Sequence, residues 1–210
     1  MFPFKHKASS RHRLAIVLAL SLFVGGWSDG SSLNQNNILV VVGTPTAGGP
    51  AVSPNTVFEF TPSGNLVQKI PFNYNGGSYP GFEHLRDIVV DSSGAIDAVN
   101  GFYNLFLTRY FPNSRTFVHR TFPNWASFTG RLATYQNFIF FQDNSGSALN
   151  PPGGVQRFNT SDNSVVRLGG HGLVLGLAMG LDGRLYATYD PTGSGTQPIS
   201  VDVYNPVTGV

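Results

Sequence analysis

The side chains in this chain that could do chemistry gather just ahead of short apolar runs. Glu83, His84, Arg86 and Asp87 precede IVV (88–90), Arg131 precedes LATY (132–135), and His171 precedes GLAMG (176–180). Brought to one opening, two histidines and two carboxylates would suit a divalent cation, and the arginines would suit an anion or a sugar. Trp125, with Tyr79 and Phe82, would offer flat apolar faces on which a sugar ring can stack. The plainer alternatives are an Arg86–Asp87 ion pair, solvated histidines, and a Trp125 packed between structural elements. His119, inside the alternating run TFVHRTF (116–122), is expected at the periphery.

Other chemistries lack their residues. There is no cysteine, which excludes thiol nucleophiles, iron–sulfur clusters, cysteine zinc sites and a lipoprotein anchor. No nucleophile elbow, phosphate-binding glycine loop, dinucleotide fingerprint or H-E-x-x-H helix occurs. The pieces Asp91–Gly94 and Asp182–Gly183 lack the alternating acidic ligands of a calcium loop and read as tight turns. No metal or cofactor is expected on this ground.

The elements that must position these residues recur. VFEFTPSGN, LTRYFPNSR, VQRFNTSDN and VDVYNPVTG each place an aromatic (Phe60, Tyr110, Phe158, Tyr204) just before a turn rich in Pro, Ser, Thr, Asn and Gly. These aromatics stand 50, 48 and 46 residues apart. Strand-and-turn self-similarity at that period marks the blades of a β-propeller, here of four-stranded antiparallel blades. Four can be parsed. Blade 1 offers 38–43, 56–60 and 66–72. Blade 2 offers 86–91, 95–99, 104–111 and 116–122. Blade 3 offers 131–135, 138–142, 155–158 and 165–168, and blade 4 offers 176–180, 184–189 and 200–204. A second motif runs in phase: RDIVVDSSGAIDAV aligns with LGLAMGLDGRLYATY, pairing Gly94 with Gly183, and Asn137 stands at the same turn of blade 3. Gly and Asn accept the positive φ that tight hairpins need. A first blade without its innermost strand and a last without its outermost suggest part of a ring of about six or seven blades. A four-blade ring, or closure by dimerisation, is the alternative.

Through DIVVDSSG (87–94) and LAMGLDGRLY (177–186) the chain resembles the NHL-like and gluconolactonase-like propellers over most of residues 38–210. The resemblance implies the fold, and among its members are lactonases, lyases and pure binding scaffolds, so no catalytic residue is carried over. Gluconolactonase-like enzymes set acidic and amide side chains around a channel metal. Taking Asp87 as reference, the aligned residues of blades 3 and 4 are Gly130 and Gly176, which departs from that pattern.

Connection lengths are asymmetric. The turns from first to second and from third to fourth strands are short, whereas 44–55, 73–85, 143–154 and 190–198 are long. In a meander the long ones emerge on one face, where a rigid scaffold usually carries its binding residues.

Lys5, Lys7, Arg11 and Arg13 precede the apolar run LAIVLALSLFV (14–24), and Gly25 and Gly26 follow it. A basic head, about ten apolar residues and a small-residue exit make a signal peptide over 1–27. A span would need roughly 20 apolar residues, so an uncleaved anchor is the weaker alternative. Residues 28–37 read as a flexible lead into the blades at 38–210. Without its four leader cations the chain holds nine Lys and Arg against eleven Asp and Glu, a formal charge of −2, and nucleic-acid binding loses its electrostatic basis. The expected location is secreted, periplasmic or cell-surface. The expected function is a binding or interaction scaffold that recognises its ligand through the long-connection face. The sequence does not name that ligand, and a carbohydrate or another surface protein are the candidates. Two alternatives stand beside it. One is a metal-dependent lactonase or lyase working at the channel mouth through His84, Asp87 and His171, and the other is a structural surface protein.

Overall fold

A computed structural model describes residues 33–34, 36–42, 56–72, 85, 87–100, 104–123, 131–143, 154–169, 173–190 and 200–210. The expected leader 1–27, the start of 28–37 and the longest connections lie outside the described residues.

Among the described residues every regular element is a β-strand, and the fourteen strands fall into four antiparallel sheets in chain order. Sheet 1 holds β1 (Ile38–Val42), β2 (Thr56–Phe60) and β3 (Leu66–Pro71). Sheet 2 holds β4 (Ile88–Val90), β5 (Ile96–Asn100), β6 (Asn104–Phe111) and β7 (Thr116–Pro123). Sheet 3 holds β8 (Leu132–Tyr135), β9 (Phe138–Asp143), β10 (Gly154–Asn159) and β11 (Val165–Gly169). Sheet 4 holds β12 (Leu173–Met179), β13 (Leu185–Asp190) and β14 (Ser200–Tyr204). All fourteen expected strands are present. β12 starts three residues earlier than expected because Leu173 and Val174 already pair with Asp190 and Tyr189 before a bulge.

The repeat seen in the aromatics is a repeat of register. Phe60 pairs with Ile38, Tyr110 with Ile96, Phe158 with Ile139 and Tyr204 with Leu185. Each pair is a β-branched or aliphatic residue opposite an aromatic, a favourable cross-strand combination. The core is divided into three apolar clusters, and each straddles two consecutive sheets. Val57, Ile70 and Phe72 meet Ile96 and Tyr110. Leu105 and Leu107 meet Ile139 and Phe158, and Val155 and Ala133 meet Leu185 and Tyr204. Burial on both faces explains why β9 (FIFFQD) lacks alternation, while no residue of the outermost strand β11 is fully buried.

The turn after the third strand of sheets 3 and 4 is touched in each case by the outermost strand of the sheet before it. Arg120 Nη1 of β7 donates to Asn163 O in the turn closing β10 and β11, while its guanidinium lies 5.3 Å from the rings of Phe122 and Phe158. Leu168, three residues past Val165 as Arg120 is three past Phe117, lies against Gly209 in the turn after β14. A Cβ there would meet Leu168 Cδ2 at 2.8 Å. Asn163 and Gly209 are matched corners, with φ of 60° and 80° and N–H bonds to Asn159 O and Asn205 O.

The turns after the first strand behave as expected at Gly94 and Gly183, with φ of 80° and 76°. In sheet 3 the left-handed corner is Gln136 (φ 54°), not Asn137. The β8–β9 hairpin is closed by two residues only, Tyr135 pairing with Phe138, and the corner falls on the first of them.

Candidate functional site

The end of the sheets opposite the short turns is where β4 and β8 begin and β5, β9 and β13 finish. Of the sequence-predicted site residues, the structure describes two here, and it brings them together. Asp87 Oδ2 stands 3.9 Å from Arg131 Nη1 and accepts from Leu132 N at 3.4 Å, while Asp87 Oδ1 accepts from Ile88 N at 3.0 Å. The carboxylate therefore ties the start of sheet 2 to the start of sheet 3. Burial raises its pKa above the usual carboxylate value, and the Leu132 N–H, Arg131 and the Ile88 N–H pull the other way. Glu83, His84, Arg86, Trp125 and His171 lie outside the described residues, as do Tyr79 and Phe82.

Register corrects the alignment behind this site. Ile88 pairs with Ala98 and Leu132 with Phe141, and Ala98 and Phe141 each lie two residues past the repeat aliphatics Ile96 and Ile139. Arg131, not Gly130, is thus the counterpart of Asp87. The shift arises because the β8–β9 turn is shorter than the β4–β5 turn. In sheet 4 Leu177 pairs with Ala187, so Gly176 holds the position as expected. Acid, base and glycine occupy one structural position in three consecutive sheets.

Sequence reasoning missed two buried acids at this end. Asp143 closes β9 and Asp190 closes β13, both almost fully buried. Their signal was an acid as last residue of a second strand, just before a long connection, in FFQD and ATYD. Among the described residues no three His, Asp or Glu side chains gather into a metal-binding group.

A second polar constellation sits at the short-turn end, inside the interface of sheets 2 and 3. Arg109 Nε donates to Asp97 Oδ1 at 2.8 Å and Nη2 donates to Asp91 Oδ2. Asp91 Oδ1 also accepts from Ser93 N (2.8 Å), Ser93 Oγ (2.6 Å) and Ala95 N (3.0 Å), which fixes the turn. Asp97 Oδ2 is buried and has no hydrogen-bond partner among the described residues. Burial, and then the neighbouring Asp91 charge, push the Asp97 pKa well up against the opposing pull of Arg109. Structurally equivalent positions are occupied by Glu59, which accepts from Asn37 Nδ2 (2.6 Å) and Gln68 Nε2 (2.5 Å), and by Arg157, which donates to Pro206 O and Val207 O. These groups pin neighbouring strands and sheets.

His119, the one histidine among the described residues, lies on the outermost strand of sheet 2. Its Nδ1 is 3.0 Å from Thr108 Oγ1, and its ring stacks on Phe117. Partial burial lowers its pKa.

No protein-family model matches the chain, and no curated protein matches it. A solved structure of PorZ, described as an essential surface component of the type-IX secretion system of Porphyromonas gingivalis, is similar over 85% of this chain at 19% identity and a TM-score of 0.47. The chain spans about a quarter of that structure's length, covering 27% of it. At that level of likeness neither fold nor function is inherited. Among the described residues no helix is long and apolar enough to cross a membrane.

Proposed function

We propose that the four sheets are blades of an exported β-propeller that serves as a rigid binding scaffold, with recognition by the face from which the long connections leave. The single observation that supports this most is the difference between the two ends. At one end every described turn is short and internally hydrogen-bonded, through Asp91, Asn159, Asn205 and the left-handed corners. At the other end the strands lead into connections of eight or more residues in five places, above a rim that holds the Asp87–Arg131 pair and the buried Asp143 and Asp190. Support for the propeller comes from the repeated register of aliphatic and aromatic partners in all four sheets. Export rests on the basic-then-apolar pattern of residues 1–27.

In this reading Trp125 is the candidate stacking residue for a sugar ring, and Arg131 and Asp87 contribute polar groups at the rim. The lactonase reading is weaker, because an arginine and a glycine stand where Asp87 would need acidic or amide counterparts. Retention of the chain on insoluble polysaccharide, lost on Trp125→Ala with the fold intact, is the expected result. A chain that passes through such columns, yet retains a divalent metal at one per chain through dialysis, would overturn the scaffold reading in favour of the enzyme.

A further inference from the structure

The outermost strands of the first three sheets repeat a pair of exposed residues. Across the last ladder of their sheets, Phe60, Tyr110 and Phe158 pair with Leu66, Phe117 and Val165. The next residue out is Val67, Val118 or Val166, and all three are exposed. Opposite the residue two before each aromatic stand Lys69, His119 and Arg167, which are exposed too. In sheet 1 a bulge at Val67 adds one residue to the strand, so the match shows in register and not in sequence spacing.

Charge along this edge has one sign. β3, β7 and β11 carry Lys69, Arg120 and Arg167 and no acid, and Arg115 stands one residue before β7. Asp162 is the only acid in the turns that lead into these strands. Lys69 and Arg115 form no ion pair among the described residues. Arg120 meets a carbonyl, Asn163 O, and two aromatic rings, which leaves its charge unneutralised. The inner strands differ: Arg109 there is matched by Asp91 and Asp97. The chain past residue 27 has a formal charge of −2, so this edge runs against the balance of the whole. Charge of either sign would keep a strand edge from pairing. Three sheets that use cations alone fit an anionic partner as well.

The apolar clusters join consecutive sheets face to face, which sets the three edges side by side, about 10 Å apart where stacked sheets pack. A further sheet would stack on a sheet face and leave these edges uncovered. We propose that the row is a docking track for an extended acidic polysaccharide, whose carboxylates or sulfates meet Lys69, Arg115, Arg120 and Arg167 in turn. A flexible chain can follow successive edges, and the choice of polysaccharide rests on the export reading of residues 1–27. The track runs along the outside of the sheets and makes no use of Trp125 or the long-connection face.

Polygalacturonate and its fully methyl-esterified form share a backbone and differ in charge. The chain should be retained on immobilised polygalacturonate at low ionic strength, released by added salt, and not held by the ester. Lys69→Gln, Arg115→Gln and Arg167→Gln change exposed side chains, so the triple variant should keep the circular dichroism and melting temperature of the parent. It should bind the acidic polymer roughly tenfold more weakly, each single change losing about twofold, the scale of exposed charge contacts. Trp125→Ala should leave this binding unchanged, whatever happens at the long-connection face. Equal retention on acid and ester, or a triple variant that binds like the parent, overturns the proposal. Loss of binding on Trp125→Ala instead moves recognition to the long-connection face. A parent that ignores polygalacturonate, alginate and hyaluronan overturns it too, and binding of DNA or anionic vesicles through the same three residues would then reassign the edge to that partner.

Discussion

Arg109 and Asp97 face each other across the β5–β6 ladder, with Nε 2.8 Å from Oδ1, inside the contact between sheets 2 and 3. One guanidinium there serves two carboxylates, since its Nη2 reaches Asp91. Removing the cation leaves two acids in a site with little water, and a buried charge without its partner is expensive. Arg109→Met should cost about 3–5 kcal/mol in urea unfolding at neutral pH. A loss below about 0.5 kcal/mol, the range of ordinary surface changes, would mean that the network is solvated and carries no weight.

Sheet-to-sheet packing predicts a graded response along the repeat aromatics. Phe158 is almost fully buried in the cluster between sheets 2 and 3. Phe158→Ala should cost about 3–5 kcal/mol, from lost transfer energy and the cavity left behind. Phe60 stands at the same register position with its backward side open, and Phe60→Ala in the isolated chain should cost only about 1–2 kcal/mol. Equal losses at the two sites would show that sheet 1 is covered in solution.

Turn corners offer a test of backbone strain alone. Gly183 has φ of 76° with no atom near the space a side chain would fill, so the penalty of a substitution there is purely conformational. Gly183→Val should destabilise by about 1–2 kcal/mol. The opposite change belongs at Arg115, which holds φ of 55° with a side chain in place. Arg115→Gly should be neutral or stabilising by up to about 1 kcal/mol, because the relief of strain competes with the added freedom of the unfolded chain. Thermal unfolding of the two variants should move in opposite directions, and a parallel loss would show that one turn is misassigned.

Strand positions were legible because period and turn chemistry agree: Phe60, Tyr110, Phe158 and Tyr204 each stand at or one residue before the end of a strand, ahead of a turn with a left-handed corner. Register was less legible. A hairpin of two residues at Gln136–Asn137 and one of longer reach at Asp91–Gly94 look alike in sequence, and the difference displaced Arg131 from its proper equivalence with Asp87. The Asp91–Arg109–Asp97 network was open to inspection in principle. Pairing Ile96 with Tyr110 in an antiparallel hairpin forces Asp97 opposite Arg109. Its burial was not, because polar residues within a strand usually read as the solvent face, and here a neighbouring sheet covers that face. The candidate site was legible as residue types but not as a constellation. Of its seven members, proximity is established for Asp87 and Arg131 alone, among the described residues.

Asp97 gives the pH dependence its sign. Its folded pKa lies well above the ordinary 3.8, with burial as the main cause and the Asp91 charge as the second. Below pH 3.8 the group is protonated in both folded and unfolded chains, and its contribution to stability is fully present. As pH rises from there, the unfolded chain releases the proton first, and stability is lost until the folded group also ionises. Asn resembles the protonated acid in shape and keeps an oxygen for Arg109 Nε. Asp97→Asn should therefore be at least as stable as the parent at pH 7, and its advantage should shrink as pH falls toward 4. Paired urea titrations of parent and variant from pH 4 to pH 8 measure the difference directly, with the remaining carboxylates common to both. A variant that is weakest at pH 7 and recovers on acidification would show Asp97 to be ionised and held by Arg109. The interface would then be held by a full ion triad.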